Sequence, residues 1–150
     1  MASGEGCLVE RLRRVCKRAT NGERRTIVIG ADTPGLPSER LVQANALLNG
    51  SRAVLGPAAD DGGFHLQGLT GVPPGLFNGV TWGTSAVFAQ MSIQFESCLV
   101  PLALVDPWFD VDRGSDLGRL KGLLDAAVVS APFTLAALEH IAVDLQGLVP

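Results

Sequence analysis

The chain has 150 residues, 47% of them hydrophobic, a mean hydropathy of +0.28 and a formal charge of −3. Such a length suits one domain, residues 1–150, with a packed core, and the acidic balance argues against a general nucleic-acid binder. Tyr is absent and aromatics make up only 5%, so the core is expected to be aliphatic and rich in Ala.

Leu8, Leu12, Val15, Cys16 and Ala19 recur at helical spacing, which predicts an amphipathic helix over about residues 7–19, ended by Asn21-Gly22. Arg11, Arg13, Arg14, Lys17, Arg18, Arg24 and Arg25 make this front stretch basic, either as a solvated helix face or as an anion-facing patch. The β-branched run 26–29 reads as a buried strand of the parallel-sheet kind. After the loop holding Pro34, Gly35 and Pro37, Ser38 is the expected cap of a second helix carrying Leu41, Val42, Asn45 and Leu48. Residues 53–55 and 64–69 are the next strands, and 71–79, with Pro73, Pro74 and Gly75, is a loop. Thr84 or Ser85 is expected to cap a helix presenting Val87, Phe88, Met91 and Phe95. An apolar strand over 99–105 follows, then an extended stretch through Asp110-Val111-Asp112. Ser115 is the expected cap of a helix with Leu117, Leu120, Leu123 and Leu124, and Pro132 opens a last helix with Leu135, Leu138, Ile141 and Leu145. Alternating helices and strands predict a layered α/β sheet.

Several classes are excluded or disfavoured. The odd set Cys7, Cys16 and Cys98 holds no Cys-x-x-Cys pair, which points to reduced thiols and a cytoplasmic setting. His65 and His140 are too isolated to build a Cys/His metal site. Residues 1–6 lack the apolar core of a signal peptide, and no apolar run reaches the roughly 18 residues of a membrane span. Neither a P-loop nor a strand-linked Gly-x-Gly-x-x-Gly is present.

Three segments carry chemistry. Asp32 lies just past the carboxyl end of a buried strand, where open α/β sheets gather ligands; it is either a holder of Mg²⁺ or Mn²⁺ or a cap of the following turn. Asp61-Gly62-Gly63 offers positive φ and close backbone approach, or an ordinary hairpin turn, with Asp60 doubling the charge. Asp110 and Asp112 share one side of an extended segment, so one of them can serve as a second metal ligand; the plainer reading is a charged strand end before the Ser115 cap. Trp82-Gly83-Thr84 adds an aromatic face for a sugar or base, or simply a core Trp, with a hydroxyl beside it.

In order and spacing these motifs resemble a bacterial family of glycosyltransferase-A-like proteins, the nucleotide-diphospho-sugar transferase-like or selenium-domain-associated transferase type. The family's Gly-Ser/Thr-Asp-x-Pro-x-Leu is matched by Gly30-Ala31-Asp32-Thr33-Pro34-Gly35-Leu36. Its Gly-Pro-x-x-Asp-Gly-Gly-Tyr/Phe-x-Leu-x-Gly is matched by Gly56-Pro57, Asp61-Gly62-Gly63-Phe64, Leu66 and Gly68, with one extra residue before the Asp. Its Trp-Ser/Thr-Thr is matched by Trp82-Gly83-Thr84, and its Asp-Val-Asp-Thr-Pro-x-Asp-Leu by Asp110-Val111-Asp112-Arg113-Gly114-Ser115-Asp116-Leu117. Cys7, Val9, Gly83 and Gly114 depart from the family's usual Asp, Gly, Ser/Thr and Pro.

The resemblance implies a truncated three-layer, Rossmann-like sandwich with a mixed, mostly parallel sheet, entered partway through the family's fold and without its front nucleotide-binding segment. It implies a metal-dependent glycosyltransferase or nucleotidyltransferase acting on a nucleotide-diphospho-sugar or nucleotide. Asp32 and Asp112 would hold Mg²⁺ or Mn²⁺, Asp61 would be the catalytic carboxylate, and Gly62, Gly63, Trp82 and Thr84 would contact the ligand. The alternative is a catalytically inactive remnant that acts as a homodimeric ligand- or partner-binding module. In either case strand 26–29 is expected to be a bare apolar edge, and a second copy is expected to cover it.

Overall fold

A computed structural model describes residues 7–20 and 24–140. Nine elements follow one another: α1 (Leu8–Ala19), β1 (Thr26–Ile29), α2 (Ser38–Leu47), β2 (Ala53–Pro57), β3 (Phe64–Leu69), α3 (Val87–Ser97), β4 (Leu102–Leu104), α4 (Gly114–Asp125) and α5 (Pro132–His140). Asn21-Gly22, expected to end the first helix, and Ile141 and Leu145, expected on the last one, lie outside the described residues.

The four strands form one sheet in the order β1-β3-β2-β4. β3 runs antiparallel to both β1 and β2, while β2 and β4 are parallel. The sheet is therefore mixed, as expected. Most of its ladders are antiparallel, because the one reversed strand lies between two others. β1, β2 and β4 all point the same way, so their carboxyl ends and the start of β3 meet at one edge.

Helices cover both faces. On one, Cys16 of α1 and Val87, Met91 and Phe95 of α3 pack on Ala53, Leu55 and Leu69. On the other, Ala44 and Leu48 cover Val54, Leu66 and Val105. The strand period of two sends alternate residues of β2 to the two layers, and this yields the three-layer sandwich. α4 and α5 share a smaller cluster around Phe109, Leu120 and Leu124. Burial pushes the Cys16 thiol up to about 11, so it is a packing residue and not a reactive one.

Four element ends differ from the sequence expectation. Ser38 is the first residue of α2, after an N-cap at Pro37, and makes no cap bond. α3 starts at Val87, beyond Thr84 and Ser85; the Thr84 hydroxyl instead donates to Thr81 O at 2.7 Å. α4 starts at Gly114, and its Asp116 takes the capping role: Oδ2 accepts the N–H groups of Asp112 and Arg113 at 3.1 and 2.8 Å. β4 is shorter than 99–105, because Leu99 has φ +52 and closes α3 in a left-handed turn, its N–H bonded to Glu96 O at 2.9 Å.

Candidate functional site

The shared edge of the sheet is where the sequence-singled residues collect. β1 ends when Gly30 N–H donates to His65 O at 3.0 Å. The chain then turns, and the Thr33 hydroxyl closes the turn on Gly30 O at 2.9 Å. Asp32 leaves its carboxylate exposed over Gly30. Its carbonyl accepts Val111 N–H at 2.8 Å, which staples the 110–112 segment beside it and sets Asp110 and Asp112 on either side of that bond.

The β2–β3 connection is anchored at both ends. Ala58 N–H bonds Gly63 O at 3.1 Å, and Ala59 N–H bonds Trp108 O at 2.8 Å. Asp61 Oδ1 accepts Gly63 N–H at 2.7 Å, which fixes the carboxylate toward the rim. Gly62 has φ +75, and a Cβ there would run into the Ser85 carbonyl oxygen. Its own carbonyl accepts Phe88 N–H at 2.9 Å. Gly62 is thus demanded by docking of this turn on the start of α3, and only Gly63 of the pair lines the cleft. Asp60 stays out of the cleft, borders an adjoining hollow with Asp61, Asp110 and Asp112, and pairs with Arg119 at 2.8 Å.

The resulting cleft has a volume of about 650 Å³. Asp32, Asp61, Asp110 and Asp112 line one side; Leu8, Leu12, Val28 and Phe64 form an apolar floor; Trp82, Thr84 and Ser85 form the other wall. Trp82 serves both readings offered for it. Its ring contacts Phe64 edge-on and Phe77 at a tilt, each with centroids 6.2 Å apart, yet it also faces the cleft. Its buried Nε1 has no hydrogen-bond partner.

The electrostatics single out Asp110, which sequence reasoning left as one of two options. Burial, and then the charges of Asp32, Asp61 and Asp112, push its carboxyl up to about 6. Its buried Oδ1 has no hydrogen-bond partner. An orphaned carboxylate oxygen among three other carboxylates fits a bound cation or a proton. Among the described residues no three Asp, Glu, His or Cys groups draw together into a closed metal cage. That is compatible with Mg²⁺, which commonly takes one or two carboxylates and completes its shell with water and phosphate oxygens.

His65, set aside above as isolated, forms the bulge where the register shifts opposite Gly56 and Pro57. It is buried, and its ring lies over Gly56, where a Cβ would strike it. Nδ1 carries the proton, since its partner at 3.1 Å is the Pro57 carbonyl. Burial holds its pKa below the ordinary value, the Pro57 bond opposes this, and Arg40 adds to it. The signal in sequence was Gly56 itself, a glycine inside a strand pattern beside a bulge.

The layered sheet and its acidic rim define a transferase-like fold of the glycosyltransferase-A kind. A solved structure from Desulfovibrio desulfuricans G20, described as a "putative nucleotide-diphospho-sugar transferase", superposes with a TM-score of 0.72 at 30% identity over 79% of this chain. This chain spans about half of that one, 52%. Over residues 1–84 the chain matches the family described as "Uncharacterized protein conserved in bacteria (DUF2064)", and it belongs to that family. Among curated proteins none matches. No described helix is long and apolar enough to cross a membrane.

Proposed function

We propose that this protein binds a nucleotide-diphospho-sugar or related nucleotide through a divalent cation and acts as a transferase of the nucleotide-diphospho-sugar class. The observation that carries the reading is the convergence of Asp32, Asp61, Asp110 and Asp112, from three separate loops, on one cleft with an apolar floor and an indole wall. The half-buried Asp110 carboxyl feels the charges of Asp32, Asp61 and Asp112, a repulsion that a cation or proton at this rim would relieve. Asp32 and Asp112 are the groups that would hold Mg²⁺ or Mn²⁺, with the Asp110 carboxyl close by. When bound, the cation would supply charge neutralisation for a diphosphate. Trp82 offers a face for a sugar or base, and Thr84 an adjacent hydroxyl. Asp61, oriented by Gly63 N–H, is placed to accept the proton of an acceptor hydroxyl. Residues 1–150 are read as a single domain, and the outer edge of β1 calls for a second copy.

One observation favours the quieter alternative, a binding module without turnover: the cleft lining contains no Lys or Arg. Arg113 of the same copy borders the adjoining hollow lined by Asp61, Asp110 and Asp112, outside the cleft itself.

The test is thermal unfolding with Mn²⁺ and uridine, guanosine and cytidine diphosphates, on the wild type and on Asp32→Ala. A metal-dependent rise in melting temperature that disappears in the variant supports the reading, because a ligand that binds only the folded state raises its stability. No rise with any of them removes it. Release of free nucleotide from a bound nucleotide-sugar then separates the enzyme from the module.

A further inference from the structure

The cleft is short of positive charge, while positive charge is stranded one strand-length away. Arg24 and Arg25 are exposed just before β1 and have no partner among the described residues. Asp32 lies just past the strand's other end. The separation from Arg25 to Gly30 along an extended chain is about 17 Å, too far for an arginine to reach within one copy.

The backbone of β1 shows how that distance closes. Its ladder to β3 pairs Thr26 with Leu69, Ile27 with Gly68, Val28 with Gln67 and Ile29 with Leu66. Gly30 N–H continues it to His65 O at 3.0 Å. Antiparallel pairs alternate, so Thr26, Val28 and Gly30 spend their N–H and C=O on β3, while those of Ile27 and Ile29 point to the outer side. No strand pairs with that side among the described residues. Leu8 and Ile29, 55% and 47% exposed, leave the adjoining surface apolar.

We infer that a second copy of this chain adds to the outer edge of β1, antiparallel and centred on Val28, and carries its Arg24 and Arg25 to the carboxylate rim of the first. Centring on Val28 is the register in which both outward residues are used twice: Ile27 meets Ile29 of the other copy, and Ile29 meets Ile27. The same register carries Arg25 and Arg24 past the end of the other copy's β1, to the 30–33 turn that holds Asp32. Side chains alternate along a strand. Val28 belongs to the cleft side and Ile27 to the α2 side, so Arg24, in phase with Val28, lies on the cleft side too. The contact is two-fold, so each rim receives arginines from the other copy. With a cation on the carboxylates, those arginines would face the diphosphate. This last point rests on the ligand proposed above; the edge pairing does not.

The interface is tested first. With Cys7 and Cys98 replaced by Ser, Val28→Cys places two thiols at a non-hydrogen-bonded pair. Their Cα separation of about 4.5 Å falls inside the disulfide range. Mild oxidation is expected to give a reducible dimer, and Val42→Cys on α2 in the same background is expected not to. Ile29→Pro removes only an outward N–H, which an edge strand tolerates; sedimentation is expected to show a folded monomer. A wild type that sediments as a monomer across a concentration series, or a dimer that Val28→Cys does not cross-link, overturns the proposal.

Trans delivery is tested by complementation. Arg24→Ala/Arg25→Ala is expected to bind nucleoside diphosphate with Mn²⁺ about tenfold more weakly, and Asp32→Ala not at all. Mixing the two variants in equal amounts and letting subunits exchange makes about half of the dimers mixed, each with intact arginines against intact carboxylates at one of its two sites, so about a quarter of the wild-type sites are expected to return. If binding is present in the wild type and mixing restores nothing, the arginines do not act across the interface. If no diphosphate binds the wild type while the Val28→Cys dimer forms, the pairing stands and the ligand reading falls.

Discussion

Where β2 and β4 begin, the connecting turns are tied to one another. Arg52 and Ala53 N–H both donate to Pro101 O at 3.2 and 3.1 Å, and Thr70 N–H donates to Arg52 O at 3.0 Å. Where β1, β2 and β4 end, the loops are also fixed by backbone bonds, but they bring four carboxylates to one cleft and leave a buried Asp110 oxygen without a partner. One end ties its backbone groups to one another; the other holds a buried carboxylate oxygen that no donor among the described residues reaches. The difference separates stability from function along the length of single strands: cost at the open rim is tolerated because the closed end and the two helix layers hold the sheet.

The contrast can be broken by substitution. Leu69→Ala, at the closed end and 1% exposed, removes a side chain shared by α1, α3 and the sheet; chemical denaturation is expected to show a loss of about 2–5 kcal/mol. Gly62→Ala, at the open end, must relieve a left-handed φ and a clash with the Ser85 carbonyl. It is expected to cost about 1–3 kcal/mol and to weaken any Mn²⁺-dependent thermal shift, because the turn carrying Asp61 moves.

Asp110→Asn is expected to do the reverse. The folded pKa of Asp110, about 6, lies above the ordinary value of 3.8. Between those values the folded chain holds the proton more tightly than the unfolded chain does. The stability tied to this group is therefore full below about pH 4, declines as pH rises toward 6, and stays lower above. Unfolding followed from pH 4 to 7 should show that decline in the wild type and not in Asp110→Asn. At pH 7 the variant is expected to be more stable by about 1 kcal/mol, the half-open rim being screened by water. A saturating divalent cation should flatten the wild-type decline as well. Lys121→Ala breaks an exposed pair with Asp125 at 2.7 Å, remote from both ends, and is expected to change stability by less than about 0.5 kcal/mol.

Much of this layout was legible in the residues. Helix and strand periods placed the core, because Leu12, Cys16, Met91 and Phe95 sit where amphipathic spacing puts them. Motif order placed Asp32, Asp61 and Asp112 on one rim. Other features depend on pairing partners far away in sequence. The reversed direction of β3 follows from the short 58–63 connection, which permits a hairpin and no crossover, although every strand residue also fits a parallel sheet. The caps at Ser38 and Ser115 failed because Pro37 and Asp116 compete for the same turns. Asp110 outranked Asp112 only once the Val111–Asp32 bond and the buried surroundings were known, since the two carboxylates are alike in spacing. Gly62 looked like a ligand glycine, and its positive φ was foreseen; that it packs on Ser85 was not, since that contact joins two loops.

The indole at position 82 borders the cleft, and the other, at position 108, bridges to Ala58 two residues ahead of Asp110. The chain has no other tryptophan and no tyrosine. Under ultraviolet excitation nearly all emitted light therefore originates within a residue or two of the proposed binding region, so occupancy becomes an optical signal from the unlabelled protein, readable in a cuvette.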